Sequence, residues 1–186
     1  MAATPSTMLP LGTALPRFTL PDAVTGKAVA SAELTGAKGV LVMFICNHCP
    51  YVIHIRQQLV ALAHRAVDAG VSVVAINANS TRTHPQDGPD HMKALAQKEG
   101  WRFPFLFDET QDVARAFQAV CTPDLFLFDA KRALAYRGQF DDSRPSNGVP
   151  VTGKDLAAAL EQVLAGKAPA QEQRASIGCN IKWHPG

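Results

Sequence analysis

Val40-Leu41-Val42-Met43-Phe44-Ile45-Cys46-Asn47-His48-Cys49-Pro50-Tyr51-Val52 is the stretch on which the architecture turns. Its first six residues are uninterruptedly apolar and rich in β-branched and aromatic types, the pattern of a strand covered on both faces. From Pro50 onward Val52, Ile55, Leu59, Leu62 and Ala66 recur at three and four, which lines them along one stripe of a helix, and Gly70 ends it. A second apolar run, Val71 to Ile76, follows at once. Strand, Cys-x-x-Cys, helix, strand predicts a parallel pair joined by a helical crossover. Cys46 is then expected where the first strand gives way to the helix, and Cys49 one turn inside it.

Working outward, Asn77 to Gly88 is polar and punctuated by Pro85 and Gly88, as a loop is. Asp90 is expected to cap a helix running to about Glu99, Phe103 to Phe107 to form a strand, and Gln111 to Phe117 a short helix. Leu125 to Phe128 reads as a strand turning at Asp129-Ala130-Lys131-Arg132 into an antiparallel partner over Ala133 to Arg137. Thr152 with Asp155 three residues on resembles a capping box, and Leu156, Leu160, Val163 and Leu164 give the stripe of a last helix closed by Gly166. The tail has no period, yet Ile177, Cys179, Ile181 and Trp183 are too apolar for a solvated end and predict that it packs on the domain.

A chain of 186 residues suits one core, expected over about residues 15–166 with the tail over 167–186. Its 47% hydrophobic and 18% charged residues are those of a folded protein. Eighteen basic against sixteen acidic residues leave +2, with no basic stripe, so no nucleic-acid partner is expected. The longest apolar stretch, Gly39 to Cys46, falls far short of the ~20 residues of a membrane span. Met1 to Pro16 lacks a basic region and is broken by three prolines, so it does not read as a signal peptide, and a cytoplasmic location is expected.

Four cysteines are too few for a disulfide scaffold. In a reducing compartment a Cys-x-x-Cys pair points to redox chemistry or metal binding. A cysteine at a strand-to-helix junction meets unpaired N–H groups and the positive end of the helix dipole, which favours the thiolate at Cys46. Closing so short a loop removes little unfolded-chain entropy, so a purely structural bridge is a poor explanation. Two inert core thiols and a half-zinc site are the competing readings. For zinc, only His48, His54, Cys121, Cys179 and His184 offer further ligands, none of them in a paired ligand motif.

The β-α-β start, the Cys46-Asn47-His48-Cys49 motif and Thr122-Pro123 ahead of the strand Leu125 to Phe128 resemble the thioredoxin superfamily. Phe103 to Asp108, Val113 to Phe117 and Thr122 to Asp129 are similar to its AhpC/TSA-redoxin branch of peroxiredoxin-like proteins and thiol reductases. Cys46 to Val52 together with Gly178 to Trp183 resemble a bacterial, uncharacterised subgroup with a C-N-H-C motif. The resemblance implies an α/β thioredoxin-like fold: a central mixed sheet flanked by helices, with Asp90 to Phe107 as an inserted helix and strand. It implies a cis Pro123 facing the Cys-x-x-Cys, a Thr122 backbone that pairs with an extended substrate segment, and Asn47, Thr122 and Pro123 as substrate-binding positions. Relatives carry an acid in the strand before the first cysteine, but Val40 to Ile45 has none; peroxiredoxins carry Pro and Thr seven and three residues before their reactive cysteine, where this chain has Gly39 and Met43.

The expected activity is thiol–disulfide exchange: Cys46 attacks, Cys49 resolves, and His48 steadies the Cys46 thiolate unless it only faces solvent. A thiol peroxidase passing through a sulfenic acid is the alternative. Cys121 and Cys179 are either extra redox thiols or packing. Expected partners are protein or small-molecule disulfides, or a peroxide, with a separate electron donor and no organic cofactor or metal.

Overall fold

The computed structural model describes residues 3–185. In chain order the strands and helices are β1 (Ala3–Pro5), β2 (Thr19–Pro21), β3 (Ala28–Ala30), β4 (Gly39–Phe44), α1 (Pro50–Asp68), β5 (Val71–Asn77), α2 (Pro89–Lys98), β6 (Phe105–Phe107), α3 (Asp112–Ala116), β7 (Cys121–Thr122), β8 (Asp124–Asp129), β9 (Leu134–Gly138), α4 (Lys154–Leu164) and β10 (Ile177–Asn180). Five strands form a mixed sheet in the order β6-β5-β4-β8-β9, parallel across β6, β5 and β4 and antiparallel from β4 through β8 to β9. β2 and β3 form a small hairpin, and β1, β10 and β7 a separate antiparallel sheet.

Alternation along β4 splits the core in two. Leu41, Met43 and Ile45 pack with Val52, Ile55, Leu59 and Leu62 of α1, Met92 of α2 and Leu156 of α4. Val40, Val42 and Phe44 face the other way, onto Phe18, Val113, Ala114 and Phe117. Phe117 meets Phe44 and Phe126 edge-on at centroid distances of 5.3 Å. A strand apolar on both faces thus lies between two layers, and each large side chain fully buried there contributes about 1.5–3 kcal/mol. The expected fold class, including the inserted α2–β6 and the packed tail, is the one observed.

Helix starts are where the sequence reading slips. Cys49 is the cap residue of α1 and Pro50 its first helical position, so Cys49 sits at the mouth of the helix rather than one turn inside it. α2 is capped by Gly88 with Pro89 next, leaving Asp90 within the first turn. The cap of α4 is Gly153, at φ 66°, and not Thr152; the buried Asp141 accepts the backbone N–H groups of Thr152 and Gly153, each at 2.6 Å. Asp141 thus holds the turn that starts α4. Residues ahead of 15 also join the packing: β1 pairs with β10, and Leu9 is buried. Among the described residues, no helix is long and apolar enough to cross a membrane.

Candidate functional site

The parallel strands β4 and β5 end together, with the Ile45 N–H donating to the Ile76 carbonyl at 3.0 Å. The chain emerging from β4 carries Cys46 to Cys49 and that emerging from β5 carries the polar loop 78–88, so both meet at the carboxyl edge of the sheet, where α/β folds place their crevices. Just ahead of the neighbouring strand β8, at the end of β7, stands Thr122-Pro123, whose peptide bond is cis. Cys46 and Cys49 are both buried, at 1% and 0% exposure. Thr122 lies between the sulfurs: its Oγ1 is 3.6 Å from Cys46 Sγ, and its carbonyl accepts from Cys49 Sγ at 3.2 Å.

Each of the two thiols shifts the titration of the other. Cys46 is pushed well above the usual thiol range, first because it donates its S–H to Cys49, then by burial and by the nearby Asp87 carboxylate. Cys49 is lowered to about 5, chiefly by that same S–H, with further donation from Cys179, Thr122 and the Val52 N–H outweighing burial. The sequence reading favoured a thiolate at Cys46, which burial and the Asp87 carboxylate oppose. Because Cys49 caps α1, the helix's free N–H groups point at Cys49 instead. When Cys49 is protonated, the Thr122 carbonyl stands ready to take its S–H, so the site holds the proton on either sulfur.

His48 is the second departure. Its Nδ1 lies 2.6 Å from Asp87 Oδ2 and only 3.9 Å from Cys46 Sγ, so the ring's proton goes to the carboxylate and not to the sulfur. Asp87 is fully buried and also accepts from the Asn47 N–H at 3.0 Å and from Asn79 Nδ2 at 2.9 Å. Asn47 donates its side-chain amide to the Gln86 carbonyl at 3.1 Å, which ties the Cys-x-x-Cys loop to loop 78–88. His48 Nε2 and Asn47 Oδ1 are buried without partners.

Cys46 Sγ, His48 Nδ1 and an Asp87 oxygen lie within 4.8 Å of one another, the one set of metal-ligating side chains among the described residues. Ligands on one tetrahedral ion, bonded at about 2.0–2.1 Å, stand about 3.3 Å apart. The 2.6 Å between nitrogen and oxygen is the spacing of a shared proton, so holding an ion requires that pair to open.

Sequence reasoning missed two acids. Asp87 is the lone acid of a polar loop that follows a buried parallel strand, and that position was the available signal. Asp124 opens β8 directly after Pro123; burial pushes its carboxyl up to about 7, with Oδ2 accepting from Ser6 Oγ at 3.1 Å and Oδ1 unpartnered. Of the two further thiols, Cys121 is pushed far up by burial and then by Asp124, and points at the Pro123 carbonyl 3.8 Å away. Cys179, in contrast, reaches Cys49.

A family model, described as the AhpC/TSA family, matches residues 11–137. The chain belongs to the AhpC/TSA family. A crystal structure of an uncharacterized conserved protein from Geobacillus kaustophilus is 47% identical at a TM-score of 0.97, covering 100% of this chain and 98% of that one. At the level of fold alone, a thiol:disulfide interchange protein of the thioredoxin family from Chlorobium tepidum is 21% identical with a TM-score of 0.63, covering 82% of this chain and 97% of its own. Peroxidoxin BcpB from Mycobacterium tuberculosis is 19% identical with a TM-score of 0.60, covering 84% and 96%. No curated protein matches. The protein is thus a redox enzyme in kind, of the thioredoxin-like, peroxiredoxin-like branch.

Proposed function

We propose that this AhpC/TSA-family protein is a thiol–disulfide oxidoreductase whose working unit is the Cys46–Cys49 dithiol. The observation that carries the reading is the burial of both Cys-x-x-Cys sulfurs against Thr122, Cys46 Sγ 3.6 Å from its Oγ1 and Cys49 Sγ 3.2 Å from its carbonyl, beside a cis Pro123. Cys46 is the entry sulfur, as the order of the Cys-x-x-Cys motif leads one to expect. As Cys46 attacks a substrate disulfide, its proton passes to Cys49 and the first substrate thiolate leaves. Cys49 then attacks Cys46 Sγ, and its proton goes to the departing second substrate sulfur. The sequence of steps ends with a Cys46–Cys49 disulfide and the substrate as one thiol and one thiolate, which takes up a proton from solvent.

The half-buried Asn47 and His48 form the rim at which a substrate docks, while Thr122 and Pro123 are buried beside the sulfurs, and the substrates are protein or small-molecule disulfides. A separate electron donor restores the dithiol in a reducing cytoplasm. Family membership favours one further reading, a peroxidase in which Cys46 is oxidised to a sulfenic acid and Cys49 condenses with it, releasing water.

Insulin-disulfide reduction by the wild type, lost by at least a hundredfold in Cys46→Ser, is the expected result. Absence of turnover by the wild type defeats the reductase reading, and rapid consumption of hydrogen peroxide at Cys46 with little insulin reduction replaces it with the peroxidase.

A further inference from the structure

The tail brings a third thiol to the pair. β10 lies against β7 in a register that sets Cys179 opposite Thr122 and Asn180 opposite Cys121. The pairing runs on with the Ile181 N–H donating to the Val120 carbonyl at 2.8 Å. The backbone edge of Thr122, expected to be left open for an extended substrate, is therefore occupied by the chain's own Cys179. Gly178 makes the close approach possible, because a Cβ there would overlap the Thr122 carbonyl.

This segment is pinned on both sides. β1 sets Ala3 opposite Cys179 on its other edge, the Lys182 N–H donates to Asn79 Oδ1 at 2.8 Å, and Ile181 is buried. Cys179 is 4% exposed and belongs to the same cluster of buried side chains as Cys46 and Cys49. Burial first and then the neighbouring Cys49 raise Cys179 to about 12, and Cys179 in turn helps to lower Cys49. Cys121 is the contrasting case, a buried thiol turned to a carbonyl instead.

We propose that Cys179 is the third redox thiol of the site, exchanging with the Cys46–Cys49 disulfide to form Cys49–Cys179 and release Cys46. The inference rests on the reading that Cys46 and Cys49 form a disulfide in turnover. In the exchange the Cys179 sulfur attacks Cys49 Sγ. The Cys49–Cys179 bond forms, the Cys46–Cys49 bond breaks, and the electron pair of the broken bond leaves on Cys46, which takes the proton that Cys179 gives up. One disulfide is present before and after, so neither oxidant nor reductant is consumed.

Once Cys49 is in a disulfide, the hydrogen bond to a Cys49 thiolate is gone, and with it one of the causes that hold the Cys179 proton on. The product carries its disulfide beneath β10, joining the tail to the mouth of α1. It also returns Cys46 as a thiol.

The test is disulfide mapping of dilute full-length protein oxidised with diamide, quenched in acid, alkylated and digested without reduction. In wild type both Cys46–Cys49 and Cys49–Cys179 peptides are expected, with Cys121 alkylated. In Cys46→Ser the intramolecular Cys49–Cys179 peptide is expected as the main product, and in Cys179→Ser only Cys46–Cys49. Wild type that forms Cys46–Cys49 while Cys179 stays fully alkylated overturns this proposal and leaves the function reading intact. Wild type in which Cys46, Cys49 and Cys179 all remain alkylated overturns both. Because wild type alone decides, misfolding of a variant leaves the outcome unaffected.

Discussion

At the scale of single residues, the charge that governs the site comes from Asp87. Lying beside Cys46, it opposes a thiolate there and takes the His48 proton that would otherwise favour one. Asp87→Asn removes that charge while keeping an acceptor for the ring. Cys46 in this variant is expected to react with iodoacetamide several-fold faster than in wild type below pH 8, followed by mass spectrometry of the Cys46 peptide. Equal or slower alkylation means that the carboxylate is not felt at the sulfur.

Asp124 acts on stability instead. Burial raises it from the usual 3.8 to about 7, so the native state holds the proton more tightly than the unfolded chain does. Stability therefore falls as pH rises between those two values and levels off above them. Asp124→Asn cannot ionise and should lose that slope: its melting temperature is expected to overtake that of wild type on going from pH 5 to pH 8. Parallel melting curves across that range would mean that Asp124 is already ionised at pH 5. Both acids escaped the sequence reading for one reason. An Asp in a polar loop and an Asp opening a strand look like surface residues until the packing that desolvates them is known.

At the scale of elements, strands and helix bodies were legible and helix ends were not. β4, β5 and the body of α1 were readable because a run of apolar residues and a three-four recurrence each demand one covered surface. The cap of α1 was not, since Cys49 and Pro50 satisfy the first turn without the Ser, Thr, Asp or Asn that marks most helix starts. That displacement puts Cys49 at the mouth of the helix, where the Val52 N–H adds to the causes that lower it.

β10 was visible only as an apolar tail, because four residues are too few to show a period. Its fit depends on Gly178. Gly178→Ala forces β10 away from the Thr122 carbonyl, and a loss of about 1–3 kcal/mol is expected, read as a lower urea midpoint with faster proteolysis of the tail. An unchanged midpoint would show that β10 shifts without cost and that its close approach is incidental.

At the scale of the whole molecule, the site is assembled from four stretches far apart in sequence: residues 46–49, 78–88, 121–124 and 177–182. The mixed sheet brings the first three together, since β4 lies between β5 and β8 and all three present their loops or bends at one edge. The fourth arrives through a second sheet, in which the chain's first strand backs its last. The amino-acid order was enough to establish the α/β class, the crossover, the Cys-x-x-Cys at its turn and the likeness to thioredoxin-fold proteins, because those features are local patterns of covalently adjacent residues. Folding in three dimensions settled which acid faces Cys46 and which thiol covers Thr122, because desolvation and strand pairing act between groups that no sequence spacing relates.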